Sequence, residues 1–214
     1  MIKKAFTLIE IVFVVVVIGI LSAIISPRVK RATLQEAADQ IASHIRYTQQ
    51  LALNDNKFDP ADSSWFKKRW QIFFQNANVY NDNKISYTIY SNANKDTNAN
   101  SAEIAKNPLN EKQLLSGGTV GASYGTANVT KSMNLGHKYD ITSITFSTSC
   151  NSANRIAFDY LGRPLIGDVR TLTKKYSSGT NRLLQKKCII TIKNSVGKTK
   201  SIVITPETGY VYIQ

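Results

Sequence analysis

The chain opens on an almost unbroken apolar run. Residues 6–25, FTLIEIVFVVVVIGILSAII, carry a single charge, Glu10. About 20 apolar residues at roughly 1.5 Å each match the hydrocarbon core of a bilayer, so the run predicts a membrane-spanning helix over residues 6–27. An ionised carboxylate inside such a span costs at least about 2.5 kcal/mol, and Glu10 therefore needs a partner within the membrane. Pro27 predicts a kink or an interruption. Beyond it, apolar positions recur at helical spacing: Leu34, Ala38, Ile41, Ala42, Ile45, Leu51 and Ala52, with Thr48 among them. Arg31, Gln35, Asp39, Arg46 and Gln50 fall on the opposite side. The pattern predicts an amphipathic helix over residues 28–55 that lays its stripe on the core of a head. If it continues the span, the helix from Phe6 is about 73 Å long.

After a loop of turn formers, residues 54–62, the period changes from helical to alternating. Strands are predicted over 69–74, 84–90, 140–146, 155–159 and 165–166, the last two flanking a turn at Leu161-Gly-Arg-Pro164. The clearest β signal closes the sequence. Residues 188–193, 201–205 and 210–213, separated by turns containing Gly197 and Gly209, predict an antiparallel meander. Residues 91–132, rich in Asn, Ala, Ser, Thr, Gly and Lys, form an excursion with weak periodicity and room for one short strand or helical turn. A long helix followed by strands defines an α+β fold: the helix, membrane-spanning in its first half, packs on an antiparallel β-sheet head spanning residues 56–214.

Composition sharpens this picture in one respect. Of 214 residues, 27 are basic and 14 acidic, a net charge of +13, and the last 64 residues alone carry +8. Such a surface attracts nucleic acid, anionic lipid or acidic protein, although a solvated face of a basic protein has the same composition. Arg182, Lys186, Lys187, Lys193, Lys198 and Lys200 are the candidate phosphate contacts if the head binds DNA. Adjacent Lys186 and Lys187 on an alternating strand need not converge. Trp65-Phe-Lys-Lys-Arg-Trp70 interleaves aromatic and basic residues; it suits either stacking on single strands or anchoring the core.

Catalytic motifs are absent from the sequence, with no GxSxG, P-loop or HExxH, and the expectation is a protein that is not an enzyme and takes no cofactor. Asp159 and Glu207 read as solvated turn carboxylates. Asp55, Asp59 and Asp62 lack calcium-loop spacing, and His44 and His137 have no metal-ligand partners in the sequence, so no metal site is expected.

The N-terminal motif KKAFTLIE, opening a long apolar helix, resembles that of type IV prepilins and pseudopilins. The resemblance implies a leader over residues 1–5, cleavage between Ala5 and Phe6 by prepilin peptidase, and methylation of the new Phe6 amine. Gly is usual before the cut; Ala5 departs from it but is also small. Glu10 becomes the fifth residue of the mature chain, the position that the family keeps acidic, and is implied to pair with a neighbouring subunit's N-terminus during assembly. In the second half, residues 156–164 (IAFDYLGRP), the later TPETGYV hairpin and the helix run around Arg46, Gln49 and Gln50 are similar to the H-type minor pseudopilins (GspH/FimT-like). The resemblance implies a structural subunit of a periplasmic pseudopilus for type II protein secretion, with prepilin peptidase, other pseudopilins or pilins and the inner membrane as partners. A minor type IV pilin whose basic head binds DNA for uptake is the alternative.

Lys3 and Lys4 before the span are balanced by Arg28, Lys30 and Arg31 after it, so charge alone does not orient it. Prepilin processing favours a single-pass inner-membrane protein with its head in the periplasm. In that compartment the only two cysteines, Cys150 and Cys188, are expected to form one disulfide.

Overall fold

A computed structural model describes residues 7–94, 99–150, 154–175 and 182–214; the side chains of residues 23–32 lie outside that description. Helix α1 (Leu8–Asn54) is helical through Pro27, without the interruption that proline predicts. Strands β1 (Trp70–Gln75), β2 (Ser86–Ser91), β3 (Lys106–Asn107) and β4 (Asn110–Leu114) follow, then the short helix α2 (Leu135–Tyr139). The remainder is β5 (Ile141–Phe146), β6 (Arg155–Phe158), β7 (Pro164–Ile166), β8 (Cys188–Asn194), β9 (Thr199–Ile204) and β10 (Val211–Ile213).

Two four-stranded antiparallel sheets make the head, in the orders β2-β1-β6-β7 and β10-β9-β8-β5, and β3 and β4 form a separate hairpin. The α+β class with antiparallel strands is therefore as expected from the pattern. The predicted terminal meander is β8-β9-β10, with Ile190 opposite Ile202 and Val203 opposite Tyr212.

Both sheets turn one face to α1. Leu34, Ala37, Ala38, Ile41, Ala42, Ile45 and Ala52 of the helix are buried in a single cluster with Ile72, Phe74, Tyr87, Ile89, Ile156 and Phe158 of the first sheet. Cys188, Ile190, Ile192, Ile202, Ile204 and Val211 of the second sheet complete that cluster. Alternation along β8 places Cys188, Ile190 and Ile192 inward and leaves Thr191 and Lys193 outward, the period-2 logic of a strand covered on one side. The disulfide Cys150–Cys188, with Cα atoms 4.9 Å apart, ties the turn after β5 to the start of β8. In the chain-entropy account, closing a loop of sequence separation 38 contributes about 4 kcal/mol.

The first sheet is covered on its other face as well, which explains why every residue of β2 is buried. The 91–132 excursion supplies Ala99, Ile104, Ala122 and Val129 against Tyr90 and Phe73. Thr88 bonds to Ser116 at 2.8 Å, and Ser86 donates to the Gly118 carbonyl at 3.3 Å. Towards β7, Trp65, Phe66, Val169 and Leu172 cover Ala157 and Leu165, so Trp65 and Phe66 are core residues. Between the two covers, Arg155 lies 4.1 Å from the Phe73 ring centre and reaches Asp168 at 3.4 Å.

A polar seam joins α1 to the first sheet and α2. Gln40 donates to the Tyr87 hydroxyl at 2.7 Å and accepts from Tyr139 at 2.7 Å, while His44 Nδ1 lies 2.7 Å from the same Tyr87 oxygen. Burial pushes His44 down to about 4, from an ordinary value of 6.5, because the seam penalises the imidazolium. An unfolded chain therefore takes the proton between pH 6.5 and about 4 while the folded chain does not. Stability from this group is complete above pH 6.5 and is lost as the pH falls through that window, by up to about 3 kcal/mol. Thermal unfolding of wild type and His44→Gln, followed by near-ultraviolet circular dichroism at pH 7 and pH 4.5, is expected to show the smaller acid loss in the variant. Equal losses would remove the role assigned to His44.

Candidate assembly helix and the turns that hold it

Helix α1 begins at a defined cap. Thr7 is extended, its carbonyl accepts from the Glu10 N–H at 3.1 Å, and its hydroxyl lies 3.4 Å from the same nitrogen. Thr7-x-x-Glu10 has capping-box spacing, and the Thr7 half is formed. Glu10 thus sits in the first turn, where the helix dipole favours a carboxylate. Sequence reasoning missed this local role, although the spacing carries the signal for it.

From residue 7 to residue 22 the helix is exposed on every side. Leu8 is 83% exposed, Phe13 70% and Leu21 52%, and Glu10 is exposed beside them. A helix that is apolar all round is buried in a large core or a membrane, because in water it has no polar face to present. Among the described residues no helix is long and apolar enough to cross a membrane. The expected span over 6–27 starts at Phe6, outside the described residues, and ends among side chains that are also outside them. Ala5, the processing position at Phe6 and the leader lie outside the described residues too.

At its other end α1 holds two glycine turns. The Gln49 amide donates to the Gly162 carbonyl at 2.7 Å and to the Thr208 carbonyl at 2.8 Å. Arg46 donates to the Val211 carbonyl at 2.7 Å. Gly162 and Gly209 have φ of +76° and +62°, in the region that L side chains rarely adopt. A Cβ on Gly209 would stand 2.8 Å from Gln49 Nε2 and 3.1 Å from the Gly162 carbonyl oxygen. The helix run with Arg46 and Gln49, the Leu161-Gly-Arg-Pro turn and the Thr-Pro-Glu-Thr-Gly turn, far apart in sequence, therefore meet at one place.

Asp159 organises the first of these turns, which corrects its assignment as a solvated carboxylate. It is 3% exposed, accepts from the Leu161 and Arg163 N–H groups at 3.0 and 2.9 Å, and is bridged by the Arg163 side chain at 2.8 Å. Glu207 is exposed, as expected of a turn residue.

The six basic residues named for DNA are not brought together. Arg182 lies beside β7 and donates to Thr171 at 2.5 Å. Lys187 precedes β8 and reaches the Tyr212 hydroxyl at 3.2 Å, with exposed Lys186 next to it. Lys193 and Lys198 flank the turn at the far end of β8, about 20 Å along the strand from Lys187. Lys200 is opposite Ile192 and so belongs to the inward row, whereas Lys193 belongs to the outward row. Of the Trp65–Trp70 segment, Trp70 is half-buried and its indole N–H donates to Asp55 at 2.8 Å.

No protein-family model, no curated protein and no solved structure matches the chain.

Removing the Gln49 amide leaves two carbonyls without their donor. Gln49→Ala is expected to destabilise the head by about 1–3 kcal/mol. Gln50, one position further round the helix, is exposed and donates to Asn54 at 3.1 Å within the same helix. Gln50→Ala should therefore stay within about 0.5 kcal/mol. Gly209→Ala should cost at least about 1 kcal/mol through its backbone alone. Thermal unfolding of the three variants checks the ranking, and equal effects at Gln49 and Gln50 would exclude the role assigned to the Gln49 amide.

Proposed function

We propose that the chain is a structural minor pseudopilin: an inner-membrane subunit, processed by prepilin peptidase between Ala5 and Phe6, that joins a periplasmic pseudopilus for type II protein secretion through its N-terminal helix. The observation that carries this reading is the contrast along α1. The helix is exposed and apolar all round over residues 8–22, and is buried against the head along its Leu34, Ile41 and Ile45 face. Apolar surface on that scale calls for lipid or packed helices as its surroundings.

On this reading the first half of α1 has two successive environments. Lipid covers it while the subunit waits in the membrane, and neighbouring helices cover it in the filament. Glu10 is costly in either setting unless it is paired. After cleavage the Phe6 ammonium is only four residues from Glu10 along the chain, and axial stagger between subunits brings one chain's amine to the next chain's carboxylate. The ion pair then sets the register, and apolar packing supplies most of the contact. No catalytic step is assigned to this chain, which is the substrate of the peptidase. The runner-up reading, a minor type IV pilin whose head captures DNA, draws on the net charge of +13. A retardation of duplex DNA that weakens steeply with salt, and weakens further when Lys193 and Lys198 are replaced by Gln, would favour it.

Mass spectrometry of the membrane-extracted protein should find a chain beginning at methylated Phe6. An intact Met1 start in cells with an active peptidase would overturn the proposal. Glu10→Ala should leave membrane insertion intact and lower filament incorporation by about 70-fold, the equivalent of the roughly 2.5 kcal/mol that one unpaired charge costs in lipid. Normal incorporation would sink the register role.

A further inference from the structure

Beyond the last turn of α1, on the side of the head covered by Trp65 and Phe66, two concavities share a wall. The larger is a cleft of about 710 Å³ lined by apolar Phe58, Pro60, Trp65 and Phe66 together with Asp59, Asp62 and Ser63. The smaller, about 220 Å³, is lined by Arg69, Arg163, Tyr160 and Asp159 together with Leu165, Leu172 and Leu183. Lys174 and Lys175 line both. The volume of the larger falls in the range of sites that hold organic ligands.

The two differ in charge. In the cleft Asp59 and Asp62 balance Lys174 and Lys175, and Asp62 is already bridged by Lys68 at 2.8 Å. In the smaller cavity Arg69, Arg163, Lys174 and Lys175 stand against one described carboxylate, Asp159, which is bonded to Arg163 and to two backbone N–H groups. Arg69 is only 9% exposed, and its guanidinium donates to the Lys175 carbonyl at 3.4 Å, which fixes the shared wall to the sheet. A concave surface with one sign of charge and apolar walls focuses its field on whatever enters. Next to it, Phe58 is 54% exposed and meets Trp65 edge to face at 5.4 Å, leaving an aromatic face open to a guest.

We infer that these paired cavities dock an acidic peptide segment of another polypeptide, with a carboxylate seated among Arg69, Arg163 and Lys174 and a bulky apolar side chain against Phe58 and Trp65. Charge complementarity selects the carboxylate, and the aromatic cleft selects its apolar neighbour. Neither cavity alone would distinguish such a segment from a free anion or a greasy surface. The site uses none of the residues assigned to assembly through α1, so it offers the head a second contact that is independent of the filament core.

The test uses the full chain in detergent. Calorimetry and tryptophan fluorescence follow titration with acetyl-Asp-Phe-Glu-Leu-Asp-amide, with its lysine counterpart acetyl-Lys-Phe-Lys-Leu-Lys-amide, with acetyl-Asp-Gly-Glu-Gly-Asp-amide, with inorganic phosphate and with a short single-stranded oligonucleotide. The acidic apolar peptide is expected to bind tightest, with affinity lowered about tenfold by Lys174→Gln/Lys175→Gln and again by Phe58→Ser. These positions lie at the surface, and unchanged thermal unfolding of the variants will show that the head is intact. Absence of binding by the acidic apolar peptide overturns the inference. So does phosphate or the glycine peptide binding equally well with no effect of Phe58→Ser, which would mark a plain anion site. Preference for the oligonucleotide at the same residues would overturn it in favour of nucleic acid.

Discussion

The structure depends on one constraint: a single face of α1 must serve as the inner wall of two sheets at once. Small residues make this feasible. Ala37, Ala38, Ala42 and Ala52 share the buried stripe with Leu34, Ile41 and Ile45, so much of the face that the sheets cover is made of small side chains. Both sheets pack on this stripe, and they also touch each other, with Phe74 of β1 edge to face against Phe146 of β5 at 5.6 Å. Ala37, Ala38 and Ala42 are at most 1% exposed, so enlarging one of them would overpack the core under the sheets.

Polar contacts hold the helix in its rotational setting. Gln40 and His44, four residues apart, lie on one flank of the stripe and reach Tyr87 and Tyr139. Arg46 and Gln49, three apart, lie on the other flank and reach Val211, Gly162 and Thr208. Apolar packing is non-directional and would accept small rotations of α1, whereas bonds on both flanks do not. The two glycine turns are then explained by proximity. At Gly209 a side chain would occupy the space of the Gln49 amide, so the close approach and the positive φ require the same residue type.

Elements whose burial comes from their own apolar residues could be read from the sequence. The stripe on α1 and the alternation of β8 in the terminal meander follow the period that their covered face demands, and β1 and β2 declare themselves by their aromatic and β-branched residues. The cover of the first sheet's outer face could not. The 91–132 excursion packs through a few small apolar residues and through polar pairs such as Thr88 with Ser116, and its contacts to β2 are single bridges at Ile104 and Ser116. Polar satisfaction of this kind leaves no hydrophobic period behind. Asp159 escapes sequence reasoning for the same reason. A carboxylate that bonds its own turn and a following arginine has the sequence neighbourhood of a solvated one, and only the fold shows that α1 and the Gly209 turn close over that corner. The exposed end of α1 was legible as apolar sequence, whereas the joining of the Gln49 and glycine motifs needed the fold.

The distribution of charge is a consequence of the same geometry. Strands β8 and β9 carry one basic residue each, Lys193 and Lys200, on opposite faces of the sheet, so the two cannot act on one ligand surface. Spread in this manner, their charge contributes a broad positive field more than a contact. Convergence needs a segment free of strand alternation. Residues 173–175 supply it, because the chain there runs irregularly between two cavities and lets successive lysines border the same space as Arg69 and Arg163. Net charge read from composition pointed to the last third of the chain as a whole, while the geometry brings basic side chains together where the chain leaves the strands.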